Sequence, residues 1–295
     1  MKLDTILVIA DRDDSKQPAV RAALDLLPAA TRRLRVVGFV YEHAAAEPGV
    51  LSDTAAATLK EALLAAKRRW LKQSLAALPC GAGRLQFEAA WTADIVDWTV
   101  EAVSRGAVDL VVKTGHRSES LLYTPVDWQL LRRCPAPVLI TGNRPRGKVR
   151  RILAAIDAGS THPVQIDLNR KVLAAAAQLG APLNAQIHPV YVIAVSAVAR
   201  DLDLIDAVAL ERDQRARVSP LLASMAGEYG IPAKNVVIKL GQPDRVLPSI
   251  AARLKADLVV MGTVGRTGVA GKLLGNTAEQ VLHRLRTGLL ALRPG

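Results

Sequence analysis

Short apolar runs closed by a carboxylate or a glycine alternate along this chain with longer stretches whose apolar residues recur at helical spacing. The alternation is clearest after residue 150. Residues 152–156 predict a strand, and residues 164–179, carrying "VLAAAAQL", a helix stopped by Gly180 and Pro182. Residues 187–195 predict a second strand. Residues 208–229 predict a helix ended at Gly230 with Pro232 beyond. Strands follow at 236–240 and 258–261 around a helix at 243–254, then a helix at 277–285 and a last strand at 289–292. Strands that alternate with helices imply parallel pairing, right-handed crossovers and helices on both faces of a sheet.

The same pattern occurs twice. "TILVIAD" (5–11) answers to "RILAAID" (151–157) with Asp11 on Asp157, an offset of 146. Asp94 in "WTADIV" falls on Asp244 in "GQPDRVL", and Asp109 in "VDLVVK" on Asp257 in "ADLVVM", with offsets of 150 and 148. Near-constant offsets through separated landmarks indicate two copies of one unit of domain size. The expected architecture is α/β: two tandem, doubly wound open parallel-sheet domains of Rossmann-like kind, residues 1–145 and 146–295, joined through "TGNRPRGKVR" (141–150). In such sheets ligands sit beyond the carboxyl ends of the strands, which puts Asp157 and Gly262 on one rim.

The chemistry-bearing stretch is "VVMGTVGRTGVAGKLLGN" (259–276), with Gly262, Gly265, Gly268, Gly271 and Gly275 behind an apolar strand. Glycine costs backbone entropy, so five within fourteen residues call for a reason. A surface loop is one reading. The other is a phosphate cradle, because a helix beginning near Thr277 would present free N–H groups and a positive dipole end, with Arg266 and Lys272 adding charge. The spacing Gly262-x-x-Gly265, nine residues, Gly275 is neither a P-loop nor the dinucleotide glycine pattern.

These residues resemble the universal stress proteins, in a tandem two-domain form like the E-type members. The likeness rests on "VVMGTVGRTG", "GNTAEQVLHRL", the strand-ending Asp157 and the closing "CPAPVLIT" of the first copy. ATP-binding relatives carry Gly-x-x-Gly, nine residues, then Gly-Ser or Gly-Thr; here Asn276 stands where the hydroxyl residue would be. The resemblance implies a stress-response regulator binding ATP or AMP, with or without magnesium, in its second domain. It implies Gly262 by the ribose, Gly265, Gly275 and Asn276 at the phosphates with Thr277 beside them, and Asp157 with Val190 at the adenine end. The first copy carries "KTGHRSESLLYTPVDWQLLRRC" (113–134) instead, which sets Thr114 and Arg117 at the first two glycine positions and Pro125, which has no N–H, opposite Asn276. That site is expected to be lost for ATP. The competing reading is a nucleotide-independent tandem interaction module, with a different small ligand in the first domain.

Composition removes other classes. Two cysteines, Cys80 and Cys134, give neither a disulfide framework nor a metal cluster, and Cys134 is expected to be a buried thiol. Five scattered histidines lack partners at catalytic spacing, and no activating base stands near the glycine loop, so no catalytic residue and no enzyme beyond slow ATP hydrolysis is expected. A net charge of +12 with 3% aromatic residues supplies basicity without stacking platforms, which disfavours nucleic acid. The start of the chain lacks signal-peptide features, and no run reaches the about 18 apolar residues of a membrane span, so a cytoplasmic protein is expected. Its partners would be an adenine nucleotide and unidentified proteins, with the two copies pairing inside one chain or in a homodimer. Trp91 and Trp98, seven apart, are expected on one helix face.

Overall fold

The computed structural model describes residues 3–12, 14–26, 33–78, 85–115, 125–141, 149–195, 206–263, 280–281 and 284–294. The first half contains β1 (Thr5–Ile9), α1 (Pro18–Leu26), β2 (Arg33–Val40), α2 (Asp53–Ala76), β3 (Leu85–Trp91), α3 (Ile95–Ala102), β4 (Leu110–Thr114), α4 (Pro125–Arg133) and β5 (Val138–Thr141). The second contains β6 (Arg151–Ala155), α5 (Pro163–Gly180), β7 (Gln186–Ala194), α6 (Ala207–Gly227), β8 (Val237–Gly241), α7 (Pro243–Arg253), β9 (Leu258–Gly262) and β10 (Gly288–Leu292). The expected linker centre, 142–148, and most of the helix expected at 277–285 lie outside the described residues.

Within each half the strand order is the same, 3-2-1-4-5 in local count, and every pair is parallel. The halves then join. β10 pairs antiparallel with β5, Leu289 opposite Ile140, Leu290 opposite Leu139 and Ala291 opposite Val138, which makes one sheet of ten strands. Because β1, β4, β6 and β9 are covered on both faces, they read as unbroken apolar runs instead of alternating ones. One core lies between the sheet and α1, α2, α5 and α6, the other between the sheet and α3, α4 and α7. Both run through the junction: Leu139 and Leu290 belong to the first, Ile140 and Leu289 to the second.

Local chemistry explains the element ends. α3 and α6 begin at Asp94 and Asp206, whose carboxylates accept from Asp97 N and from Val208 N and Ala209 N. α6 ends at Gly227, two residues earlier than the sequence predicts. Gly230, at φ +69, then lets Ile231 N–H return to the Ala226 carbonyl at 3.0 Å, a left-handed closure open to glycine. The tryptophan expectation fails: Trp91 closes β3, and only Trp98 lies on a helix, edge-on to Phe39 at 5.1 Å. Cys134 is fully buried, and desolvation pushes its thiol up to about 11.

The repeated aspartates of "VDLVV" and "ADLVV" do the same work in both halves. Asp109 Oδ2 accepts from Asp4 N and Thr5 N, each at 2.9 Å, and Asp257 Oδ2 accepts from Arg150 N at 2.8 Å and Arg151 N at 3.0 Å. Each carboxylate thus clips the start of its half's central strand. The second aligned pair diverges: Asp94 caps α3, whereas Asp244 lies buried in the first turn of α7 with Arg284 at 3.4 Å. Asp257→Ala is expected to lower stability by about 1.5–3 kcal/mol and Asp257→Asn by less, since one amide oxygen still accepts. Urea titration followed by circular dichroism checks both; no shift in midpoint would show that the clip carries no stability.

Candidate functional site

The carboxyl rim of the second half is built on the turn after β6. There Asn169 of α5, 2% exposed, grips the peptide of Asp157 from both sides: its Oδ1 accepts from Asp157 N at 2.9 Å and its Nδ2 donates to Asp157 O at 2.8 Å. This fixes the residue at the strand mouth and leaves it half-buried. Two residues on, Gly159 lies against the ring of Tyr191 from β7; a Cβ there would come 2.3 Å from the Tyr191 hydroxyl and 3.7 Å from Asp157 Oδ1. Only a residue without a side chain lets the turn pass so close to a buried ring.

Beyond this turn opens a cavity of about 470 Å3. The turn contributes Ala158, Gly159, Ser160 and Thr161; β7 contributes Tyr191, Ile193 and Ala194; α6 closes the far side with a stripe at helical spacing that includes Leu210, Gln214, Arg217 and Val218. Its wall is polar and apolar in nearly equal measure, and its volume lies in the range of about 300–1,000 Å3 usual for small-molecule sites.

The residues singled out from the sequence fall into three sets. Asp157 stands beside the cavity. Val190 does not line it: the residue is 1% exposed, its side chain packs in the core beneath α3, α4 and α7, and its carbonyl accepts from Ile156 N. Gly262 ends β9 with a packing reason of its own, since a Cβ there would stand 2.4 Å from Leu168 Cδ2 of α5, and Leu168 is 1% exposed. Gly265, Arg266, Lys272, Gly275, Asn276 and Thr277 lie outside the described residues.

In the first half α2 lies close over the place of Tyr191: Gly38 stands there, a Cβ on it would come 3.0 Å from Leu71 Cδ1 and 3.3 Å from Lys67 Cγ, and Lys67 Nζ donates to the Arg12 carbonyl at 3.3 Å. Gln17 grips Asp11 as Asn169 grips Asp157, accepting from Asp11 N at 3.1 Å and donating to Asp11 O at 3.0 Å. The Asp11 carboxylate, however, is turned inward: the residue is 4% exposed and Oδ2 accepts from Ala19 N in the first turn of α1. At the Met261 position stands Lys113, whose Nζ lies 2.6 Å from Asp127 Oδ1 of α4 and donates to the Thr114 carbonyl at 2.9 Å. Asp127 is fully buried. Removing either partner would leave an uncompensated charge, so this pair is bound to the fold. The sequence reading missed both amide grips, because Gln17 follows its aspartate by six residues and Asn169 by twelve, and repeat alignment detects only equal offsets.

A cavity at a strand mouth of an open doubly wound sheet is the place where α/β proteins of this kind commonly hold ligands. Comparison with known proteins makes this particular: residues 2–142 and 148–293 each match the universal stress protein family, and the chain belongs to that family as a tandem two-domain member. It is 29% identical over 295 residues to universal stress protein E of Salmonella typhi, covering 98% of this chain and 94% of that protein. It is 30% identical over 304 residues to the universal stress protein E homolog of Haemophilus influenzae, covering 100% and 98%. Among solved structures it resembles a functionally unknown protein of Pseudomonas aeruginosa PAO1, with 25% identity, a TM-score of 0.71, and 99% and 93% of the chains covered. It also shares the fold of a universal stress protein from Archaeoglobus fulgidus, at 16% identity and a TM-score of 0.64 over the whole of both chains. Family membership supports a stress-response role, and no helix among the described residues is long and apolar enough to cross a membrane.

Gly262→Ala is expected to destabilise the protein by about 1–3 kcal/mol through overpacking. Most of that loss should disappear in a Leu168→Ala background, where the Cβ finds room. Thermal melts of the four proteins measure the coupling, and additive losses would remove the packing reason for this glycine.

Proposed function

We propose that the second half binds an adenine nucleotide, ATP or AMP, at this rim and that occupancy modulates protein partners. The observation that supports the reading is the contrast between the halves: beside Asp157 the rim opens into a cavity of about 470 Å3, whereas in the first half Gly38 stands at the place of Tyr191, with Leu71 and Lys67 of α2 packed against it and Lys67 Nζ donating to the Arg12 carbonyl at 3.3 Å. The base would lie along Tyr191, Ile193 and Ala194, in place of the contact with Val190 that the family resemblance implies. The ribose would pass Asp157 towards Gly262. The phosphates would meet the glycine loop at Gly265, Gly275, Asn276 and Thr277, with Arg266 and Lys272 supplying charge. Asn276 can donate through its amide where relatives have a hydroxyl. Magnesium, where present, would enter on the phosphate oxygens, its usual mode with nucleotides. The protein acts as a binder in this reading, without a catalytic residue.

Occupancy can shift a partner surface only if the nucleotide binds two conformations with different affinity. All four tryptophans, Trp70, Trp91, Trp98 and Trp128, belong to the first half, so their fluorescence reports events transmitted through the β5–β10 junction. Calorimetric titration of ATP and AMP into stripped protein is expected to give about one nucleotide per chain, with Gly275→Val lowering affinity at least tenfold. Uptake with unchanged tryptophan emission would mean binding without coupling. No uptake at millimolar ATP would leave the two halves as a constitutive interaction module, held by the shared sheet alone. Unchanged binding by Gly275→Val would remove the loop assignment.

A further inference from the structure

The α6 side of the cavity carries polar groups that a base contact along β7 does not use. α6 carries three arginines. Arg212 pairs with Asp213 at 2.9 Å, and Arg215 pairs with Glu211 at 2.7 Å and donates to the Ile238 carbonyl at 2.8 Å. Arg217 lines the cavity and makes neither an ion pair nor a hydrogen bond among the described residues. Gln214 lines it one turn earlier, on the same face of the helix. Facing them across the opening are Ser160 and Thr161; the Ser160 hydroxyl oxygen accepts from His162 N at 3.3 Å and keeps its proton to donate. An exposed guanidinium, an amide and two hydroxyls thus line one cavity together with the apolar side chains of β7 and α6. Among the described residues no carboxylate lines the cavity.

The glycine loop follows β9, the cavity stands at the mouth of β7, and β6 runs between them. Two strand spacings separate those mouths by about 10 Å. A phosphate chain resting on the loop therefore leaves Arg217 to a different group of the ligand.

We propose that Arg217, with Gln214, forms an anion-recognising subsite on the base and ribose side of the ligand, which selects nucleotides carrying a second phosphate besides the 5′ one. The inference rests on the nucleotide reading above. Arg217 is the specificity-determining residue: its fork suits a phosphate monoester, and a guanidinium gives little to a neutral ribose.

The test is calorimetry on the full chain in 0.15 M salt with AMP, adenosine 3′,5′-bisphosphate and adenosine 2′,5′-bisphosphate, using wild type, Arg217→Ala, Arg217→Lys and, as control, Arg212→Ala. One bisphosphate isomer is expected to bind wild type at least tenfold tighter than AMP, and the isomer preferred identifies which ribose oxygen carries the group. Arg217→Ala should erase that preference to within twofold while leaving AMP affinity within about threefold. Arg217→Lys should keep part of it, and Arg212→Ala all of it. AMP binding with no preference for either isomer overturns the subsite and leaves the nucleotide reading intact. Equal losses of AMP and bisphosphate in Arg217→Ala also overturn it, since they mark a general role in shaping the cavity. Absence of binding by all three nucleotides overturns both.

Discussion

Three residue pairs between β5 and β10 turn two domains into one sheet, and the remaining architecture is organised around them. Without that pairing each half would end in an exposed edge strand of apolar residues, Val138–Thr141 in one and Gly288–Leu292 in the other, a form open to uncontrolled association. With it, both cores become continuous across the junction, and Arg293 adds a hydrogen bond to the Cys134 carbonyl at 3.2 Å. The edges that stay open are β3 and β8, the outermost strands of their halves.

Against this shared frame, the two halves diverge where a strand-ending aspartate meets its helix. The peptide of that aspartate is gripped by a buried amide in both. What differs is the carboxylate. In the first half it is drawn into the start of α1, and Lys67 of α2 reaches the neighbouring Arg12 carbonyl; in the second the turn passes Tyr191 through Gly159 beside a cavity. Duplication followed by divergence of the two rims accounts for a chain that keeps the fold twice and holds its two strand-ending aspartates differently.

Much of the fold was legible in the sequence because parallel strands covered on both faces leave unbroken apolar runs, and because Asp109 and Asp257 hold structurally equivalent clips. The register of β5 against β10 was not, since two short apolar strands carry no mark of which edge they seek. Trp91 was misplaced by reading a spacing of seven as helical when a strand end and a helix intervened. Asp157 was singled out from its position at a strand end, and the cavity opens next to it at Ala158 and Gly159. Gly262 was singled out for a ligand, yet it also has to make room for Leu168, a contact between residues 94 apart that no local pattern encodes. The stripe on α6 was invisible for the same reason: Gln214 and Arg217 look like solvated helix positions until the turn at 158–161 is folded against them.

The antiparallel junction has a geometric consequence for recognition. Strands of the two halves point in opposite senses, so their carboxyl mouths open at opposite ends of the molecule. A partner that docks over the mouth of β6 and β7 therefore meets, as its neighbouring surface, the amino-terminal side of the other half, where the turn from Cys134 into β5 lies beside Arg293. The surface available to such a partner is a composite of unlike ends, and a single-domain relative can offer it only by pairing with a second chain.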